Sequence, residues 1–147
     1  MADLSDFAGI GAQDRGLCVV STLRPDATIQ ASVVNAGVYD HPVSGVTGVA
    51  FVAMGGSRKL ANLRTRPRVT VVARAGWQWA AAEGEAELIG PDDPIAGVGP
   101  DDLRLALRAV FVAAGGTHDD WDEYDRAMAA ERRTIVFVSP DRVYSNG

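Results

Sequence analysis

The sequence predicts a mainly β protein: a small antiparallel barrel of six or seven strands with a few helices, built as one domain over residues 1–147. Three observations carry this. Short runs rich in β-branched residues follow one another from residue 17 to residue 89 with turn signals between them. Few helical patterns separate those early runs, so most of the strands have no crossover with which to pair in parallel. The chain has 147 residues, 47% apolar and 22% charged, which is enough for one buried core and too little for two domains.

Leu4, Phe7, Ala8 and Ile10 share one side of a first short helix over residues 4–13, weakened by Gly9 and Gly11. Residues 17–23 and 28–36 read as strands joined through Pro25 and Asp26, a hairpin. A Pro- and Gly-rich connection leads to a third strand at 49–53. Residues 58–64 form a short helix, with Ser57 at the N-cap position and Pro67 blocking continuation. Strands at 68–75 and 77–89 follow; in the second, Trp77, Trp79 and Ala81 share parity with Glu83, Glu85 and Glu87, so the apolar face changes sides and a bulge is expected at Glu83-Gly84. Pro100-Asp101-Asp102 opens a helix with Leu103, Leu107, Val110 and Phe111 on one face, stopped by Gly115-Gly116. Thr117 with Asp120 caps a further helix bearing Trp121, Tyr124 and Met128. Residues 134–139 are apolar on both faces, and Val143-Tyr144 extends that closing strand.

Composition excludes several classes. With one cysteine, Cys18, and two histidines, His41 and His118, neither a disulfide nor a zinc cluster can be assembled, and no metal ligand is assigned. No apolar run reaches the roughly 20 residues of a membrane span, and the first residues are acidic where a signal peptide is basic, so the expected compartment is the cytoplasm.

The net charge of −5 is unevenly spread. Between Asp40 and Glu83, 42 residues contain no carboxylate but hold Arg58, Lys59, Arg64, Arg66, Arg68 and Arg74, giving +6 there and −11 elsewhere. A local anion site fits that segregation better than a general attraction to polyanions. Within the block, Gly55-Gly56-Ser57-Arg58-Lys59-x-x-Asn62 places a glycine-entered helix start beside two cations, where free backbone N–H groups and the helix dipole favour an anion. It is neither a Walker loop nor a dinucleotide fingerprint; the competing reading is two solvated surface charges.

Trp77 and Trp79 offer faces for stacking on a planar ring, or else fill the barrel or an interface. Trp121 and Tyr124 read as packing residues, and Cys18 as a buried strand cysteine. The Asp-Asp pairs at 92–93, 101–102 and 119–120 read as caps. No nucleophile–base arrangement is present and no catalytic side chain is assigned, so any chemistry belongs to a bound cofactor.

Residues 58–69 (Arg-Lys-Leu-Ala-Asn-Leu-Arg-Thr-Arg-Pro-Arg-Val), then Gly76-Trp77 and Ala82-Glu83-Gly84-Glu85-Ala86, resemble the split β-barrel flavin and deazaflavin reductases related to pyridoxamine-phosphate oxidase, in particular their coenzyme F420-dependent actinobacterial branch. The likeness extends from Leu17–Asn35 to the stretch 115–124. It implies a six- or seven-stranded split barrel forming a homodimer, with cofactor at the interface. It implies that Arg58 and Lys59 bind the cofactor phosphate, that Asn62 and the backbone at Ser57 hold the polar tail, that Ser32, Val33, Val34, Asn35, Ala53 and Met54 line the ring, and that Ala75, Gly76 and Trp77 contribute from a facing loop or the second subunit. Arg66-Pro67 replaces the Asp-Pro of many relatives, and Ser57-Arg58 inverts their commoner order. The +6 segment suits F420, with phosphate and polyglutamate tail, better than FMN, with phosphate alone. The expected function is F420-dependent hydride transfer to an electron-poor conjugated small molecule of quinone, enone or tetrapyrrole type. The alternatives are an FMN-dependent oxidoreductase and a non-catalytic F420 carrier. A nucleic-acid surface built on Trp77 and Trp79 is disfavoured by the −11 remainder.

Overall fold

The computed structural model describes residues 2–147 and contains six strands and four helices. In chain order these are α1 (Leu4–Ala12), β1 (Leu17–Leu23), β2 (Ile29–Asp40), β3 (Thr47–Ala53), α2 (Arg58–Thr65), β4 (Arg68–Ala75), β5 (Gln78–Ile89), α3 (Pro100–Ala113), α4 (Trp121–Ala130) and β6 (Thr134–Ser145). The strands close into a barrel in the order β1-β2-β3-β6-β5-β4, with every pairing antiparallel. The expectation of six or seven antiparallel strands is met at six.

Two long strands make closure possible by changing partners. β2 pairs with β1 from Ile29 to Asn35 and with β3 only from Ala36 to Asp40, so on the N-terminal side of Ala36 the edges of β2 and β3 part. β6 pairs with β3 through Thr134–Val138 and with β5 through Ile135–Ser145. Its register slips between Glu83 and Gly84, where the alternation of β5 predicts a bulge. Glycine is required there, because a Cβ on Gly84 would lie 2.0 Å from the Ser139 carbonyl oxygen.

β6 is apolar on both faces because it separates two cores. Val136 and Val138 join Phe7, Val20, Phe51, Leu60 and Val71 inside the barrel. Ile135 and Phe137 lie with Ala50, Ile89, Leu107, Val110 and Tyr124 beneath α3 and α4. Each side chain named is nearly or wholly withdrawn from water, the burial that drives closure.

Helix starts follow the sequence in three of four cases. Asp3 caps α1 by accepting from the Ser5 and Asp6 amides, and Pro100 opens α3 while Asp102 accepts from the Gly99 amide. Asp120 alone caps α4, accepting from the Glu123 amide; Thr117 lies outside the helix and takes no part in the cap it was expected to form. At α2, Ser57 occupies the N-cap position without making the side-chain bond that position usually provides.

Candidate functional site

A groove of about 380 Å³ opens where β2 and β3 part. Val33, Val34 and Asn35 of β2 form one wall, and Val52, Ala53 and the exposed Met54 at the end of β3 form the next. These strand edges have no ladder partner on the groove side, so their backbone amides and carbonyls are open to a ligand. α3 and α4 close the far side through Val110, Phe111, Ala114, Tyr124 and Met128. The α3 wall sits close because Gly37 of β2 meets it with bare backbone: a Cβ there would lie 2.1 Å from the Ala113 carbonyl oxygen.

Two cations complete the groove. Lys59, in the first turn of α2, and Arg133, just before β6, line it together. Among the described residues Lys59 has no carboxylate within ion-pair distance. Burial, and then the nearby Arg133 guanidinium, hold its ammonium below the ordinary lysine pKa. Ser57, two residues earlier in the chain, is off the groove lining, its Oγ buried without a hydrogen-bond partner among the described residues. Two cations facing one groove at a helix start repel each other, and an oxyanion is the group that such a pair attracts.

The rest of the basic segment behaves differently. Arg64 forks onto Asp93 at 2.9 and 2.7 Å, and Arg68 onto Asp141 at 2.5 and 2.7 Å. Arg66 and Arg74 donate to the Leu23 and Gly76 carbonyl oxygens. The fold therefore returns acids from distant sequence to a stretch that has none of its own. Of the six cations in that segment, Arg64 and Arg68 meet carboxylates and Arg66 and Arg74 meet carbonyl oxygens, which leaves Lys59 on the groove lining and Arg58 exposed beside it and off that lining. The Asp92-Asp93 pair, read as a cap, instead engages Arg132 and Arg64.

Of the residues singled out from sequence, the structure brings Val33, Val34, Asn35, Ala53, Met54 and Lys59 to one groove. Ser32 lies in β2 opposite Val20 and off the lining. Asn62, assigned to the polar tail of a cofactor, has another task. Its side chain is 3% exposed, and its amide donates to Thr22 Oγ1 and Gln30 Oε1, both at 3.1 Å, tying α2 to β1 and to the unpaired edge of β2. Ala75, Gly76 and Trp77 form the β4–β5 turn, away from this chain's groove. Gly76 takes a φ of +61°, Asn146 Nδ2 donates to the Trp77 carbonyl at 2.6 Å, and the Trp77 side chain is 94% exposed.

Arg133, Phe111, Tyr124 and Met128 are groove residues that the sequence reading passed over. Tyr124 lines the wall, its hydroxyl donating to the Leu107 carbonyl oxygen at 2.9 Å and its pKa pushed up to about 12 by burial. Its ring belongs to an aromatic cluster with Phe111, His118 and Trp121, onto which Arg108 stacks at 5.3 Å. Cys18 is buried as expected, its thiol pushed up to about 11 by burial. Among the described residues no group of histidine, cysteine and carboxylate side chains is arranged to hold a metal, and no helix is long and apolar enough to cross a membrane.

The barrel with its two covering helices is a fold that solved structures share. A conserved hypothetical protein from Mycobacterium tuberculosis superposes with a TM-score of 0.68 at 19% identity, over 99% of this chain and 84% of its own. A pyridoxamine 5'-phosphate oxidase-related, FMN-binding protein from Nostoc punctiforme gives 0.64 at 12% identity, over 99% and 84%. An F420 reductase gives 0.57 at 14% identity, over 88% and 90%. No family model matches the chain. The chain thus has the fold common to pyridoxamine-phosphate-oxidase-like FMN-binding proteins and an F420 reductase, in agreement with the family resemblance read from residues 58–86.

Proposed function

We propose that the protein is an oxidoreductase of the split-barrel flavin and deazaflavin type, with F420 as the favoured cofactor and an electron-poor conjugated small molecule as substrate. The observation that carries this reading is the groove itself: apolar walls, unpaired strand edges, and at one end two cations, of which Arg133 meets Glu131 and Lys59 meets no carboxylate among the described residues. Reduced F420, when bound, supplies a hydride. Lys59 and the open amides at the start of α2 would hold its phosphate, and exposed Arg58 one turn-position away gives an acidic tail a further partner. Phe111, Tyr124 and Met128 would exclude water from one face, and the edges of β2 and β3 would hydrogen-bond a polar ring rim.

A homodimer belongs to the same proposal. On the outer face of β1–β2, Val19 stands opposite Val33 and Leu17 opposite Asn35, and Ile29 and Val33 are each 64% exposed. An apolar sheet face of this kind calls for a cover. A second copy would provide one and would bring a Trp77 turn towards each groove.

Fluorescence titration with F420 and, in parallel, FMN at fixed ionic strength tests the reading. Micromolar F420 binding with weaker FMN binding is expected, and in Lys59→Ala the F420 affinity should fall by about tenfold or more. A preference for FMN would move the protein to the flavin side of the fold, and binding of neither would end the oxidoreductase reading.

A further inference from the structure

The geometry points to Arg133 as the second arm of an oxyanion clamp: with Lys59 it grips a phosphate or carboxylate of the groove's ligand, and Glu131 holds its guanidinium in readiness. This rests on the groove being the ligand site proposed above. It concerns a residue 74 positions from Lys59 in sequence, outside the glycine–lysine segment that first marks an anion site.

The clamp is built into the backbone. Arg132 takes a φ of +49°, so the chain leaving α4 reverses sharply before β6. The Arg133 amide donates to the Met128 carbonyl at 3.0 Å, and the Gly55 amide to the Glu131 carbonyl at 3.0 Å. Gly55 has no room for a side chain: a Cβ would lie 2.5 Å from the Arg132 carbonyl oxygen and 2.7 Å from its Cβ. The α4–β6 turn is therefore seated directly on the Gly55-Gly56 loop that leads to Ser57 and Lys59. Two sequence-distant cations are carried on one unit.

The chemistry of the guanidinium is only partly satisfied. Nε and Nη2 both donate to the same oxygen, Glu131 Oε1, at 2.9 and 2.7 Å. That uses two of five N–H groups and leaves a face of the fork free. Elsewhere in the chain Arg64 and Arg68 each engage both oxygens of an aspartate. A single-oxygen tether fixes Arg133 in place without consuming it, which suits a group meant to accept a second, external oxyanion.

Arg133→Gln tests this by thermal melts in inorganic phosphate and by titration with F420, FMN and riboflavin. The wild-type melting temperature should rise with phosphate and the variant's should not. Cofactor affinity should fall about tenfold to a hundredfold in the variant. Loss on FMN with riboflavin unaffected assigns the clamp to the phosphate; loss on F420 alone assigns it to the tail carboxylates; either supports the clamp. Arg133→Lys, which keeps the charge and loses the fork, should fall between, and Glu131→Gln should bind phosphate several-fold tighter. Wild-type binding of phosphate but of neither cofactor would remove the proposed function and leave the clamp standing. Unchanged ligand binding in both Arg133→Gln and Glu131→Gln overturns it.

Discussion

On the β4–β5–β6 side of the barrel Arg68 meets Asp141 and Glu83, Arg142 meets Glu83, and β4 is paired with β5 along its whole length from Arg68 to Ala75. At the split end Lys59 stands near Arg133, the Ser57 hydroxyl has no partner, and β2 runs from Ile29 to Asn35 with one edge unpaired. The same chain thus satisfies its polar groups in one region and leaves them wanting in another. Foldable sequences break local rules at functional or strained places, and the contrast singles out the split end as the place where the proposed ligand is to be tested. It also divides the stability of the protein. The closed side and the seats of the helices should be intolerant of change, and the split end should give up little when its charges are removed.

The sharpest test of that division is Gly37→Ala. Gly37 belongs to β2 near the parting, yet its role is close packing: the α3 carboxyl end lies against it, with Ala113 oxygen 2.1 Å from where a Cβ would be. The obstacle is backbone, so no rotamer change relieves it. A loss of about 2–4 kcal/mol in unfolding free energy is expected from urea denaturation. A loss below about 0.5 kcal/mol would show that α3 is loosely seated and that the groove wall belongs with the permissive region.

Much of this architecture was legible in the sequence, and the exceptions have a common cause. Alternation of apolar residues marked the strands, the run at 134–139 announced a closing strand with two apolar faces, and the parity change at Glu83-Gly84 announced the bulge. The Gly55–Lys59 segment pointed to an anion site because its residues act locally. What could not be read were properties created by tertiary pairing. Arg64 and Arg68 look free until Asp93 and Asp141 arrive from elsewhere. Asn62 looks like a ligand residue until its helix is laid across Thr22 and Gln30. Arg133 looks like one of many surface arginines until a left-handed residue and a bare Gly55 bring it to Lys59. The local signal for it was a pair of arginines at the entrance to a strand whose first five residues are buried.

Lys59→Met tests the permissive side of the comparison. Burial and Arg133 lower the pKa of Lys59 in the folded protein, so folding disfavours its charged form. The sign follows: at neutral pH the ammonium is held at a cost, which would fade as pH rose through the depressed value. Methionine removes that cost and keeps the stem's apolar contacts. The ligand-free variant should melt at or above the wild-type temperature while binding F420 about tenfold more weakly. A variant that loses stability instead would mean that Lys59 serves the fold, and the division drawn above would fail at its centre.

The smallest expected effect lies on the satisfied side, in the wall helices. Asp125 of α4 accepts hydrogen bonds from Arg108 and Arg104 of α3, and the Arg108 contact chiefly holds its carboxyl below the ordinary aspartate pKa. A carboxylate lowered in the fold contributes stability above its unfolded pKa and loses it as pH falls through the folded value. Asp125→Asn should therefore cost about 1 kcal/mol at neutral pH. The wild-type and variant melting curves should converge as acid protonates Asp125 in the wild type. Because α4 also carries Tyr124 and Met128 into the groove, the same acid range should weaken ligand binding in the wild type more than in the variant. A constant gap between the two proteins down to low pH would place the coupling of α3 to α4 in the aromatic cluster, where Phe111 and Tyr124 pack at 5.0 Å, and not in the ion pair.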